Sequence, residues 1–145
     1  MSRSAARDIA FKVLFQIDLV GGESEKVLED LLDYSLEEGV EVLQEQHRAF
    51  ASDLVYNTLR HLDVIDACIS RFSPEWSIDR MAVADRNLMR LAVAEMLYTD
   101  IDSVIAIDEA VEMAKKYGDV DSKGFINAIL DKIMEECTDE PGSRN

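Results

Sequence analysis

Apolar positions recur every three or four residues along most of the chain, and the first clear run is SAARDIAFKVLFQIDLV, residues 4–20. Ile9, Val13, Ile17 and Val20 line one side of a helix there, with Ala6, Ala10 and Leu14 beside them. Gly21 and Gly22 end it, and Ser24 stands where it can cap a second, acidic helix carrying Val27, Leu28, Leu31, Leu32 and Leu36. Gly39 closes that helix. A long third helix is expected from Glu41 to Leu62, with Phe50, Leu54, Val55, Leu59 and Leu62 in period. Asp63–Phe72 follows as a short helix with Ile65 and Ile69 inward. Ser73 precedes Pro74, a position that disfavours helix, so a break belongs there.

Trp76 and Ile78 should anchor the entry to the next helix, Asp79–Thr99, whose inward set is Leu88, Leu91, Ala92 and Met96. We read Trp76 as a core or lobe-interface plug rather than a stacking platform. After a turn at Asp100–Asp102, the stretch Ser103–Ile133 reads as two helices joined by one tight corner. Ile107, Ala110, Val111, Ala114 and Tyr117 form the stripe of the first, and Gly118 suits a left-handed C-terminal cap. Asp121 and Ser122 can cap the second, whose stripe is Ile126, Ile129, Leu130 and Ile133. Strand-like alternation and internal repeats are absent from the pattern. About seven helices result, an all-α chain.

Composition supports a folded domain, since 48% of residues are hydrophobic and only two prolines and six glycines interrupt the helical pattern. Residues 1–137 are expected to form one all-helical domain, and the polar tail 138–145 to fray. There is no apolar run near 18 residues and no signal-peptide pattern, so the expectation is a cytoplasmic protein without membrane contact. Cys68 and Cys137 are too few and too far apart in sequence to suggest a disulfide framework or a metal site, and read as reduced thiols. The net charge of −15 opposes nucleic-acid binding, which needs Lys and Arg against phosphate. Its distribution softens that objection. Residues 23–45 carry nine acids against Lys26 alone, whereas residues 1–20 balance at +1.

Candidate chemistry points to binding rather than catalysis. Asp108, Glu109 and Glu112 are explained by the helix dipole, and no phosphate loop, nucleophile elbow or dinucleotide fingerprint is present. His47 and His61 lack neighbours at ligand spacing, so neither a metal nor a cofactor is expected. Arg86 and Arg90, four apart beside Asp85 and Glu95, read as a solvated face. Asn127 should need a hydrogen-bond partner if buried. The corner gathers Lys115, Lys116, Lys123 and Phe125, a cationic and aromatic set suited to an anion or a base. Arg3 and Arg7 share a helix face.

Three motifs in order carry a resemblance: AARDIAFKVLFQID, then WSIDRMAVADRNLMRLAVAEML, then AIDEAVEMAKKYG followed by DSKGFINAILDKI. Over residues 3 to about 134 the chain resembles the NusB family of bacterial transcription antitermination factors. That resemblance implies two packed three-helix-type lobes and no enzymatic reaction. It implies binding of boxA RNA in ribosomal RNA leader transcripts together with NusE, a small-subunit ribosomal protein, within the RNA polymerase antitermination complex. Carried over by position, it places RNA contacts at Arg3, Arg7, Phe15, Asp121, Ser122, Lys123 and Phe125, and partner contacts at Asp85 and Arg86. The chain departs from the family's usual pattern in its sparse N-terminal arginines and in Gly124, which stands where a basic residue commonly precedes the phenylalanine. An alternative reading is a self-associating acidic protein whose homodimer masks the RNA face.

Overall fold

In the computed structural model, residues 3–37 and 45–138 are described. They form α1 (Arg3–Val20), α2 (Ser24–Glu37), α3 (Glu45–Arg60), α4 (Leu62–Arg71), a 3-10 turn (Ile78–Arg80), α5 (Val83–Tyr98), α6 (Ser103–Tyr117) and α7 (Ser122–Cys137). No strand occurs among the described residues. The expected Gly39 cap, the start of the third helix at Glu41 and nearly all of the polar tail lie outside them. Contacts divide the chain into two compact units, one reaching Leu59 and one beginning at Arg60.

The first unit holds α1, α2 and α3, with α1 packed on α2. Ala6, Ile9, Ala10, Val13 and Leu14 are buried as the stripe demands, and Phe11 joins them. Val20 does not: it is 74% exposed, because the stripe outlasts the surface available to cover it. Two glycines then turn the chain at φ +80° and +129°, conformations that other residues rarely adopt. The cap of α2 is Glu23 rather than Ser24. The Glu23 carboxylate accepts from the backbone N–H groups of Glu25 (3.2 Å) and Lys26 (3.0 Å), satisfying two first-turn donors.

The second unit is organised around α5, which packs on α4, α6 and α7. Every residue from Asn87 to Met96 is buried, the signature of a helix enclosed on all sides. The expected helix from Asp79 is interrupted: the 3-10 turn ends at Met81, and extended backbone there precedes α5. Met81 is itself buried, which pins the interruption in place. Nor is the face of Arg86 and Arg90 solvated. Arg90 is buried and grips Asp66 of α4 with two parallel bonds, Nε to Oδ1 at 2.8 Å and Nη2 to Oδ2 at 2.9 Å. Glu95 is buried as well.

Gly118 caps α6 in extended backbone (φ −96°, ψ −172°), not in the left-handed region. Its glycine identity has another cause. A Cβ there would collide with the Ser122 side chain and approach the Ala114 carbonyl to 2.9 Å. The tight corner therefore depends on a missing side chain. Cys68 on α4 and Cys137 on α7, 69 positions apart in sequence, are brought close enough to interact by the packing of those two helices. Burial, and secondly Cys137, push the Cys68 thiol above its ordinary pKa. The His61 ring stacks on Tyr98 with centroids 3.8 Å apart.

Candidate functional site

Residues singled out from the sequence fall in both units. In the first, Arg3 is exposed at the start of α1, while Arg7, one turn later, is only 4% exposed. Both guanidinium groups lie over the Phe50 ring of α3, at 5.0 and 5.3 Å from its centroid. The aromatic face thus holds two cations that would otherwise repel each other along the helix. Phe15 is half-buried, its ring tilted against buried Phe11 at 5.9 Å.

In the second unit the corner between α6 and α7 is built by Asp119, not Asp121. The Asp119 Oδ1 accepts from the backbone N–H of Asp121 (3.0 Å) and from the Ser122 hydroxyl (3.3 Å). The Asp119 N–H in turn donates to the Ser122 Oγ at 2.9 Å. Ser122 is buried by this exchange, whereas Asp121 is exposed and its side chain caps nothing. Lys115 pairs with Glu112 at 2.8 Å, and the Lys116 ammonium lies 5.0 Å from the Tyr117 ring centroid. Lys123 is exposed. Asn127 is exposed too and reaches Asp131 at 3.3 Å, so no burial has to be compensated.

A cavity of about 390 Å³ opens beside this corner. Asp119, Asp121, Ser122 and Phe125 form one wall, and Trp76, Arg80, Met81, Ala82 and Asp85 the other. None of the three lysines lines it. The corner's concave side is acidic and aromatic, not cationic as the sequence suggested. Trp76 stands 51% exposed at this cavity instead of plugging a core. Its backbone is held by Ser73, whose hydroxyl donates to the Trp76 carbonyl at 2.9 Å. Arg86 reaches back to donate to the Ile78 carbonyl at 3.2 Å, tying the 3-10 turn to α5.

Asp85 is the unusual member. It is only 8% exposed, and its Oδ1 has no hydrogen-bond partner. Burial raises its pKa above the ordinary carboxylate range and the charge of Asp119 adds to that, while a hydrogen bond from Ser122 opposes them. Ser122 has a single hydroxyl proton, so the buried Asp85 carboxylate competes for it with Asp119, which is exposed and already accepts from the Asp121 N–H. Sequence reasoning placed Asp85 and the Ser122–Phe125 corner in separate roles; the fold puts them around one cavity. It missed Asp119 and Trp76 as lining residues, and no local pattern marks either. Among the described residues no group of three could hold a metal ion, and no helix is long and apolar enough to cross a membrane.

Comparison with known proteins matches residues 4–135 to the NusB family. The transcription antitermination protein NusB of Syntrophomonas wolfei is 47% identical over 137 residues, spanning 94% of this chain and 98% of that one. That of Geobacter sulfurreducens is 41% identical over 140 residues, 96% of this chain and 98% of that one. Among solved structures, T. maritima NusB superposes with a TM-score of 0.85 at 34% identity, covering 99% of this chain and 96% of that chain. A chain from a crystal structure of antitermination factors NusB and NusE in complex with dsRNA gives 0.80 at 30% identity, covering 92% and 96%. With a match spanning nearly every helix in both sequence and structure, the chain belongs to the NusB family.

Proposed function

We propose that this protein is a transcription antitermination factor that binds boxA RNA together with NusE, acting in the RNA polymerase complex by binding rather than by catalysis. The observation that carries the reading is whole-chain likeness to a protein solved with NusE and double-stranded RNA. The surface is consistent with it. Arg3 and Lys123 are exposed cations able to meet phosphate, and Phe125 is a half-buried aromatic in the same first turns of α7. The net charge of −15 makes RNA binding by the isolated chain weak, so a basic partner supplies the missing positive potential and adds contact surface. A role on nascent transcripts supports a location in the bacterial cytoplasm.

The test is titration of labelled boxA RNA with this protein, alone and with equimolar NusE, at two salt concentrations. Tight, salt-sensitive binding only with NusE is the expected result. Arg3→Glu and Lys123→Glu should each weaken that binding and reduce the salt slope by roughly one. Arg7→Glu is the poorer probe, because Arg7 is buried and its reversal would unsettle α1 as well. Failure to bind RNA in either mixture, with the protein sedimenting as a dimer, would favour the self-associating reading instead.

A further inference from the structure

With 30 Asp and Glu against 15 Lys and Arg, a cation on this chain ordinarily finds a carboxylate. Lys12 pairs with Asp8 at 3.0 Å, Lys26 with Asp30 at 2.9 Å and Lys115 with Glu112 at 2.8 Å. Arg3 is held differently. Exposed at the start of α1, its guanidinium lies over the Phe50 ring of α3, 5.0 Å from the centroid. Arg7, one turn later and nearly enclosed, lies over the same ring at 5.3 Å. The apolar period of α3 sets Phe50 in line with Leu54, and Leu54 is fully buried. Phe50 itself, one turn nearer the helix start, is only half-buried. Its ring therefore serves two cations as well as the core.

We propose that Phe50 is a positioning residue for RNA binding: its ring fixes Arg3 at the surface while leaving the guanidinium's charge to a phosphate. The inference rests on the RNA-binding reading above and names how one of its contacts is prepared. A carboxylate holding Arg3 would cancel its charge and occupy part of its planar donor fork. An aromatic face attracts the same cation through the ring quadrupole and takes up no charge. The N–H groups then remain for phosphate oxygens. A loose arginine side chain also loses rotamer freedom when it meets a phosphate, whereas one already resting on a ring loses less. Affinity rises without any new contact to RNA. Arg7 shares the ring but not the surface, so the phosphate contact falls to Arg3.

Labelled boxA RNA is titrated with equimolar NusE and the wild type, Phe50→Leu, Phe50→Tyr, Arg3→Ala or the double variant Arg3→Ala/Phe50→Leu. Leucine stays apolar but has no quadrupole, so Phe50→Leu should weaken binding about three- to fivefold, the worth of an exposed cation–ring contact. Phe50→Tyr keeps the ring and should bind within about twofold of the wild type. The decisive comparison is the double variant. If Phe50 acts through Arg3, Phe50→Leu costs nothing further in the Arg3→Ala background. A purely structural role would weaken both backgrounds alike. Independently of any variant's folding, NMR of the wild type without RNA should show the Arg3 Cδ protons shifted upfield by the ring. The proposal is overturned by unshifted Arg3 protons, by wild-type affinity in Phe50→Leu, by an equal loss in Phe50→Tyr, or by the same loss in both backgrounds. A wild type that fails to bind RNA with NusE removes the RNA-binding reading and the proposal with it. A wild type that binds, with Phe50→Leu unaffected, removes the role of Phe50 alone.

Discussion

Two acidic contacts of one helix, α5, treat buried charge in opposite ways. In its middle, Arg90 meets Asp66 through a two-pronged pair at 2.8 and 2.9 Å, and its remaining nitrogen donates to Asn87 Oδ1 at 3.3 Å. In its first turn Asp85 is as deeply buried, yet one oxygen has no partner and the other competes for the Ser122 hydroxyl. Paired charge inside a domain specifies which helices pack together. Buried charge left without a full set of donors specifies no such pairing and costs stability instead. Along one helix, buried charge is thus matched at one position and under-satisfied five residues earlier.

Breaking the matched half should have the largest effect. Arg90→Ala leaves Asp66 without its partner and should cost about 3–5 kcal/mol, read as a fall in the denaturation midpoint. The unmatched half should respond with the opposite sign. Asp85→Asn keeps the shape, removes a poorly satisfied buried charge and should stabilise the chain by about 1 kcal/mol at pH 7. A loss of stability there would mean that Asp85 is satisfied after all. The smallest effect sharpens the contrast through pH. Folding raises the Asp85 pKa, so the native state holds that proton more tightly than the unfolded chain. The stability this provides is full below the ordinary carboxylate value of about 3.9 and is lost as pH rises through the elevated native value. The stability difference between wild type and Asp85→Asn should therefore widen with pH across that window and then level off. A difference that is constant with pH would show that the carboxyl is not perturbed.

Most of the helices were legible because a 3.6-residue apolar period survives without any tertiary context. The burial of Ile65, Ile69, Leu88, Leu91, Ile126, Ile129, Leu130 and Ile133 follows it. Ends and caps were read less well. Glu23 rather than Ser24 caps α2, and Asp119 rather than Asp121 builds the α6–α7 corner, because several nearby oxygens compete and backbone direction chooses among them. Trp76 was misplaced for a related reason: its hydrophobicity argues for burial, but the break after Pro74 carries it to a cavity rim.

By itself, then, the amino-acid order determined the all-α class, the breaks at Gly21–Gly22 and before Pro74, the concentration of acid in residues 23–45 and the membership in a known family, all properties of local spacing or of ordered motifs. Tertiary structure alone decided that Arg90 belongs to Asp66, that Cys68 meets Cys137, and that Asp85, Trp76 and Phe125 surround one cavity. Those pairings join residues between 9 and 69 positions apart. No periodicity encodes them, because they exist only once helices have packed and burial has determined which polar atoms find partners and which are left without.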